Sequence, residues 1–224
     1  SLASVIEMIH SASMILDDLP CFDNADIRHG NPSVHKQYGE FTAILASHLI
    51  IAKCHETYWR LKNNMTPSSR ATFESAMSYL ITAMISGQAE DINTRNQHLD
   101  QHTLETIYIG KSARLFGFAA ICSAVYGGAP KEETEMLYHF GLHLGLAYQI
   151  LDDLFDVQGG PESVGKPIGM DQKNKVTTFP TLVGIEQSRQ LQAAYKNKAV
   201  AFLDHPENKF SPLAILADRV VPNS

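Results

Sequence analysis

Cysteine is scarce, tryptophan nearly absent, and long apolar runs and strand-like alternation are missing. The three cysteines, Cys21, Cys54 and Cys122, form neither an even disulfide set nor a close-spaced zinc pattern, which excludes a disulfide scaffold and leaves reduced thiols. No uninterrupted apolar run reaches the roughly 18 residues that a membrane span needs. No charged-then-apolar leader with a small-residue cleavage site is present. The expectation is a soluble, cytoplasmic protein. Basic residues number 18 against 24 acidic ones, a formal charge of −6, and they are scattered, which argues against a nucleic-acid surface. Repeats of solenoid period and low-complexity tracts are also lacking.

What is present is ordinary globular composition, 44% hydrophobic and 19% charged, in 224 residues. That length suits one domain spanning 1–224. Apolar residues recur at three- and four-residue spacing through 2–16, 41–61, 70–92, 103–126, 131–157, 177–187 and 189–204. Turn residues separate the runs, among them Pro20, Pro32, Pro67, Gly127-Gly128 and Gly159-Gly160-Pro161. Helices joined by short loops predict an all-α antiparallel bundle. The run from Leu2 to Leu16 starts without a capping residue or charged lead-in, so the expectation is a chain that begins inside a fold.

One pattern recurs: an acidic pair follows an apolar helix at SASMILDDLPCFD and again, 135 positions later, at AYQILDDLFD. Asp152 and Asp156 are four apart and stack on one helix face, with Asp153 one residue's rotation away. In the first cluster Pro20 interrupts the helix between Asp17-Asp18 and Asp23, so Asp23 must come back through a turn. Carboxylates so crowded repel one another and call for a cation; hard oxygen ligands suit magnesium, which takes one or two protein carboxylates and fills its shell with water and phosphate oxygens. The bland alternative for either cluster alone is a solvated cap or surface charge. Arg28 adds a guanidinium able to grip phosphate, and Lys36, Lys111, Lys166, Lys173 and Lys175 are further candidate counter-charges.

The segments DDLPCFDNADIRHGNPSVHKQYGE and GLAYQILDDLFDVQG closely resemble the two aspartate-rich motifs of trans-isoprenyl diphosphate synthases, the farnesyl and geranylgeranyl diphosphate synthase family. The resemblance extends, in the family's order, to MISGQAED at 84–91, LETIYIGKSARLF at 104–116, GKPIGMDQKNKVTTFP at 165–180 and LAILADRV at 213–220. It implies a helical bundle with a central apolar tunnel, usually a homodimer. It also implies a Mg2+-dependent reaction in which an allylic diphosphate ionises and the cation alkylates isopentenyl diphosphate. By the same resemblance Asp17, Asp23 and Asp152 are the principal metal ligands, completed or supported by Asp18, Asp153 and Asp156. Arg28, Lys111, Ser112, Gln149, Lys166 and Lys175 fall on the allylic diphosphate, and His10 and His29 on isopentenyl diphosphate.

Some positions depart from the family pattern. The upstream lysine-and-arginine signature has no counterpart in the sixteen residues before Asp17, which reads as missing N-terminal helices. His29 stands where a second arginine is usual, Val176 where a lysine is common, and Leu16 where several members have histidine. Family members set product length by bulk just before the first motif. Here Ala12 and Ser13 are small, favouring twenty carbons or more over fifteen unless an aromatic such as Phe41 closes the tunnel from the side. Two other readings stand beside the chain-elongating one: a non-catalytic partner of an active synthase, and a class I terpene cyclase, whose second metal site usually lacks a second Asp-Asp-x-x-Asp.

Overall fold

Ser1 caps the first helix after all: its Oγ accepts from the Ser4 N–H at 3.3 Å, the service a hydroxyl renders to the unpaired N–H groups of a first turn. The structure, a computed structural model, describes residues 1–159, 169–204 and 210–222. Helix α1 runs Leu2–Asp17, and after a turn Ile27–Arg28 (β1) and Asn31–Pro32 (β2) form a minimal antiparallel hairpin. His29 and Gly30 make its two-residue bend with φ of 49° and 76°, the signature of a primed turn. Then follow α2 (Val34–Tyr38), α3 (Glu40–Leu61), α4 (Pro67–Asn93), α5 (Gln101–Tyr108), α6 (Arg114–Tyr126) and α7 (Lys131–Gln158). The remaining helices among the described residues are α8 (Met170–Asn174), α9 (Phe179–Val183), α10 (Ile185–Ala201) and α11 (Ser211–Val220).

The helical periods map onto these elements with informative exceptions. The run at 177–187 is broken by Gly184, whose φ of 86° ends α9 and starts α10. The single run at 103–126 is interrupted by a π-helical turn at Ile109–Ala113, one extra residue per turn inside an otherwise continuous helix. Hydrophobic period alone cannot show such an insertion.

Among the described residues no helix is long and apolar enough to cross a membrane. Three apolar clusters hold the bundle. One joins α1, α3, α4 and α6, with Tyr58 stacked on Phe73 at 4.5 Å. A second joins α6 and α7 to α10 and α11. A third gathers α5, α7 and α9 around Phe179, which is fully buried.

Two glycine contacts set the depth of the middle helices. A Cβ on Gly87 of α4 would lie 2.5 Å from the Lys111 nitrogen and 2.7 Å from the Gly110 carbonyl carbon. A Cβ on Gly145 of α7 would lie 2.7 Å from the Ala113 Cα. The π turn is thus pressed backbone to backbone between α4 and α7. Lys111 and Ser112 are carried on that turn.

Candidate active site

The first acidic cluster is built as its sequence demands. Asp17 closes α1, and past Pro20 the chain folds back so that the Asp23 N–H donates to the Asp17 carbonyl at 2.9 Å and the Ala25 N–H to the Asp18 carbonyl at 3.2 Å. Asp23 therefore returns beside the pair. Asp18 points inward, almost wholly buried, and its Oδ1 accepts from Arg28 Nε at 2.9 Å and from the same guanidinium's Nη2. Asp17 carries the strain of the cluster. Burial pushes its carboxyl up to about 6, with Asp23 and Asp18 adding to the effect and Lys111 and Arg28 opposing it.

The second cluster lies on the unbroken helix α7, and its three acids take different roles. Asp153, counted by sequence among the metal-binding acids, is buried: Oδ2 accepts from the Tyr108 hydroxyl at 2.5 Å and the Phe179 N–H at 3.3 Å, and Oδ1 from Gln149 Nε2 at 3.3 Å. Burial holds its carboxyl well above the usual carboxylate range. Asp156 caps α8, accepting from the Met170 N–H at 3.1 Å and the Asp171 N–H at 3.3 Å. Asp152 stands one turn before Asp156 on the same face.

Gln149 also accepts from the Ser112 hydroxyl at 2.6 Å, so Ser112, Gln149, Asp153 and Tyr108 form one chain of hydrogen bonds under the site. Lys111 donates to Asp91 Oδ2 at 2.9 Å. Burial works against its charge, but Asp91, Asp23 and Asp17 outweigh it and hold the ammonium above its ordinary pKa.

Three residues that the sequence reading did not assign belong here. Asp91 of α4 is buried against Lys111 and sits 3.8 Å from Arg95. Arg95 donates to the Phe22 carbonyl at 2.8 Å and to Asp23 Oδ1 at 2.7 Å. Asp171 of α8 is raised to about 7, by burial first and then by Asp156 and Asp152, with Lys111 opposing and Asp23 adding. The first turn of α8 is held by Asp156, and Asn174 at its end donates to the Asp23 carbonyl at 3.0 Å, so the two clusters meet at α8. MISGQAED and GMDQKNK contain Asp91 and Asp171, and those segments were the available signal; Arg95 lay in a polar break with none.

Other candidates are placed less centrally. Lys175 is exposed with a left-handed backbone, φ 58°, and its carbonyl accepts from the Asn96 N–H at 3.1 Å. Val176 is half-buried next to it. Lys36 is paired with Asp26 at 2.7 Å, and Lys173 is exposed. His29 occupies the tip of the hairpin. His10 and Ser13 lie seven and four residues before Asp17, on its face of α1, and the Ser13 hydroxyl donates to the His10 carbonyl at 2.9 Å. Ala12 instead shares the buried stripe of Leu2, Val5 and Ile9 that meets α3, where Ser47 donates to the Ala12 carbonyl at 2.9 Å. Phe41, offered above as a side wall, is 77% exposed on α3 and closes no space among the described residues. Lys166 lies outside the described residues.

Among the described residues no three His, Cys, Asp or Glu side chains form a ready metal cluster. A lateral groove of about 390 Å3 is lined by Ala76, Tyr79, Leu80, Arg114, Phe118 and Tyr138 among others, none of them an acid of either cluster.

The polyprenyl synthetase family model matches residues 1–207. A chloroplastic geranylgeranyl pyrophosphate synthase of Capsicum annuum is 37% identical over 222 residues, covering 97% of this chain and 60% of that protein. Farnesyl diphosphate synthase of Bacillus subtilis (strain 168) is 36% identical over 190 residues, covering 82% of this chain and 63% of that protein. The chain thus spans less than two thirds of either relative. The crystal structure of a geranyltransferase from Helicobacter pylori, complexed with magnesium and isoprenyl diphosphate, superposes with a TM-score of 0.74 at 30% identity, covering 96% of this chain and 70% of that one.

Proposed function

From the premise that this chain belongs to the polyprenyl synthetase family, we propose that it elongates prenyl chains, joining an allylic diphosphate to isopentenyl diphosphate and releasing a longer linear prenyl diphosphate. The observation that carries this reading is the meeting of the two acidic clusters at α8 and the π turn: Asp156 holds the first turn of α8, Asn174 at its end reaches the Asp23 carbonyl, and Arg95 and Asp91 link Asp23 to Lys111.

The acids fit magnesium. They are hard oxygen donors, too dispersed to cage an ion on their own, and two of them are buried at a cost that shows in carboxyls raised to about 6 and about 7. That pattern suits an ion that keeps waters and substrate oxygens in its shell. Asp17, Asp23 and Asp152 would hold it, with Asp171 beside them. Bound there, it would supply the positive charge that a departing diphosphate requires.

The chain's own groups do the rest. Lys111 stays protonated under the influence of Asp91, Asp23 and Asp17, and offers a fixed cation to the diphosphate. Arg28 braces Asp18, and with it the turn that carries Asp23. Asp153 we assign to positioning, because its oxygens are taken by Tyr108, Phe179 and Gln149. Asp156 orients α8 and so presents Asp171. His10 is assigned to the isopentenyl diphosphate side, on the Asp17 face of α1.

Small Ser13 under Asp17 leaves room for a long tail and favours twenty carbons over fifteen; Ala12 contributes through the spacing of α1 from α3. The exposed Phe41, Leu45 and Leu49 follow a helical spacing along α3, with exposed Tyr38 at the end of α2 just before them, and we assign these residues to contact with a second copy of the chain. Sedimentation at twice the chain mass is the check. The decisive assay for activity incubates the full-length protein with isopentenyl diphosphate, farnesyl or geranyl diphosphate and magnesium, and sizes the product. A longer prenyl diphosphate is expected, and no elongation with any allylic starter overturns the reading.

A further inference from the structure

Asp23 is the one acid of the first cluster that no helix orients. It follows Pro20, and the tie from its N–H to the Asp17 carbonyl fixes the main chain without fixing the carboxylate. The carboxylate is held from another helix. Arg95, one turn past Asp91 at the end of α4, places Nη1 2.8 Å from the Phe22 carbonyl and Nη2 2.7 Å from Asp23 Oδ1. Two bonds from one planar group to two consecutive residues fix both the peptide and the side-chain direction, which a single bond cannot do.

The turn that carries Arg95 is itself anchored. Thr94 Oγ1 donates to the Glu90 carbonyl at 2.7 Å. Beyond it, the Asn96 N–H donates to the Lys175 carbonyl at 3.1 Å and Thr177 Oγ1 donates to the Gln97 carbonyl at 3.0 Å. The guanidinium, 15% exposed, also lies 3.8 Å from Asp91, which receives Lys111. Charges therefore alternate from Asp23 through Arg95 and Asp91 to Lys111. One turn of four residues, Thr94 to Gln97, touches the first cluster and the segment after α8, and through Asp91 it is linked to the cation on the π turn.

We propose that Arg95 is the positioning residue for Asp23, fixing the direction in which that carboxylate meets a divalent cation and tying it to Lys111 through Asp91. The inference rests on the metal–diphosphate reading above. Donors that orient a ligating carboxylate are worth about 10–100-fold in metal affinity, and a lysine at 95 offers one nitrogen on a flexible stem in place of two held in a plane, so the fixed two-point geometry is lost.

The test measures Mn2+ binding by electron paramagnetic resonance in the full-length protein with saturating inorganic diphosphate, so that no turnover is needed. Arg95→Lys should weaken Mn2+ about 10–100-fold, while excess magnesium recovers most of kcat. In an Asp23→Asn background the same substitution should have little further effect, since the two residues act as a unit. Asn174→Ala removes only the 3.0 Å bond to the Asp23 carbonyl and should leave Mn2+ affinity near wild type. Unchanged Mn2+ affinity in Arg95→Lys, or an equal loss with Asp23 already replaced, overturns the proposal. A wild-type protein that binds no Mn2+ with diphosphate overturns the metal–diphosphate reading first, and the two failures are thereby distinct. If Arg95→Lys does not fold, Arg95→Gln, which keeps one amide donor, is measured in its place with the same outcomes.

Discussion

The two acidic walls are built by opposite means. On α7 the acids sit on a continuous helix, where the four-residue spacing alone puts Asp152 and Asp156 on one face, while Asp153 points into the core against Tyr108 and Phe179. At the end of α1 the third acid leaves the helix, and the direction of its carboxylate depends on a group far away in sequence, Arg95, 72 residues on, while Asn174, 151 residues on, reaches only its main-chain carbonyl. Regular structure positions one wall, and long-range ties position the other. The helical wall should therefore separate chemistry from stability cleanly, whereas the looped wall should respond to changes made elsewhere in the molecule.

The largest expected effect tests the helical wall directly. Asp152→Ala should lower kcat by about 10²–10³-fold, the usual loss when one element of charge stabilisation is removed, with little change in the urea midpoint. A comparable loss of stability would show that Asp152 is held like Asp153. One residue on, the balance reverses: Tyr108→Phe takes away the 2.5 Å donor to buried Asp153 and should cost about 1–3 kcal/mol in urea unfolding. A smaller part of that change should appear in activity.

Asp171 couples the comparison to pH. Its folded carboxyl is raised from 3.8 to about 7, so the folded protein holds that proton more tightly than the unfolded chain. The resulting stability is fully present below about pH 4 and is lost as pH rises through about 7. In metal-free protein, the melting temperature of Asp171→Asn should accordingly gain on wild type as pH is raised across that window. Magnesium with inorganic diphosphate should narrow the gap, because metal uptake releases the proton. A gap independent of pH breaks the link between Asp171 and the facing acids. The smallest effect is one of product rather than rate: Ser13→Phe, under Asp17, should shorten the product by about one five-carbon unit, as read by chromatography. Ala12→Phe, in the α3 seam, should instead destabilise by about 1–3 kcal/mol.

What could be read from sequence follows the same division. Helix-borne features declared themselves: the periods, the acidic pairs, and the face shared by Asp152 and Asp156 depend on neighbours within a few residues. Asp23's return was legible because Pro20 forbids the alternative. Arg95 was not, since a lone arginine among Asn and Gln acquires meaning only once α4 meets the first turn. Nor was the inward turn of Asp153, which needed Tyr108 and Phe179 from two other elements. Ala12 and Ser13 are adjacent in sequence but face different neighbours, a distinction set by helix rotation relative to α3.

The seam between Gly87 and Gly110 bears on how such a site could diversify. Main chain meets main chain there, so the height of Lys111 above the bundle floor is fixed by atoms that no side-chain substitution can alter. Lys111 is then a fixed datum against which the rest of the pocket is measured. Ser13 on α1, one turn before Asp17, is free of that constraint, and a saturation library at Gly87 should return almost nothing but glycine while one at Ser13 returns a graded series of products.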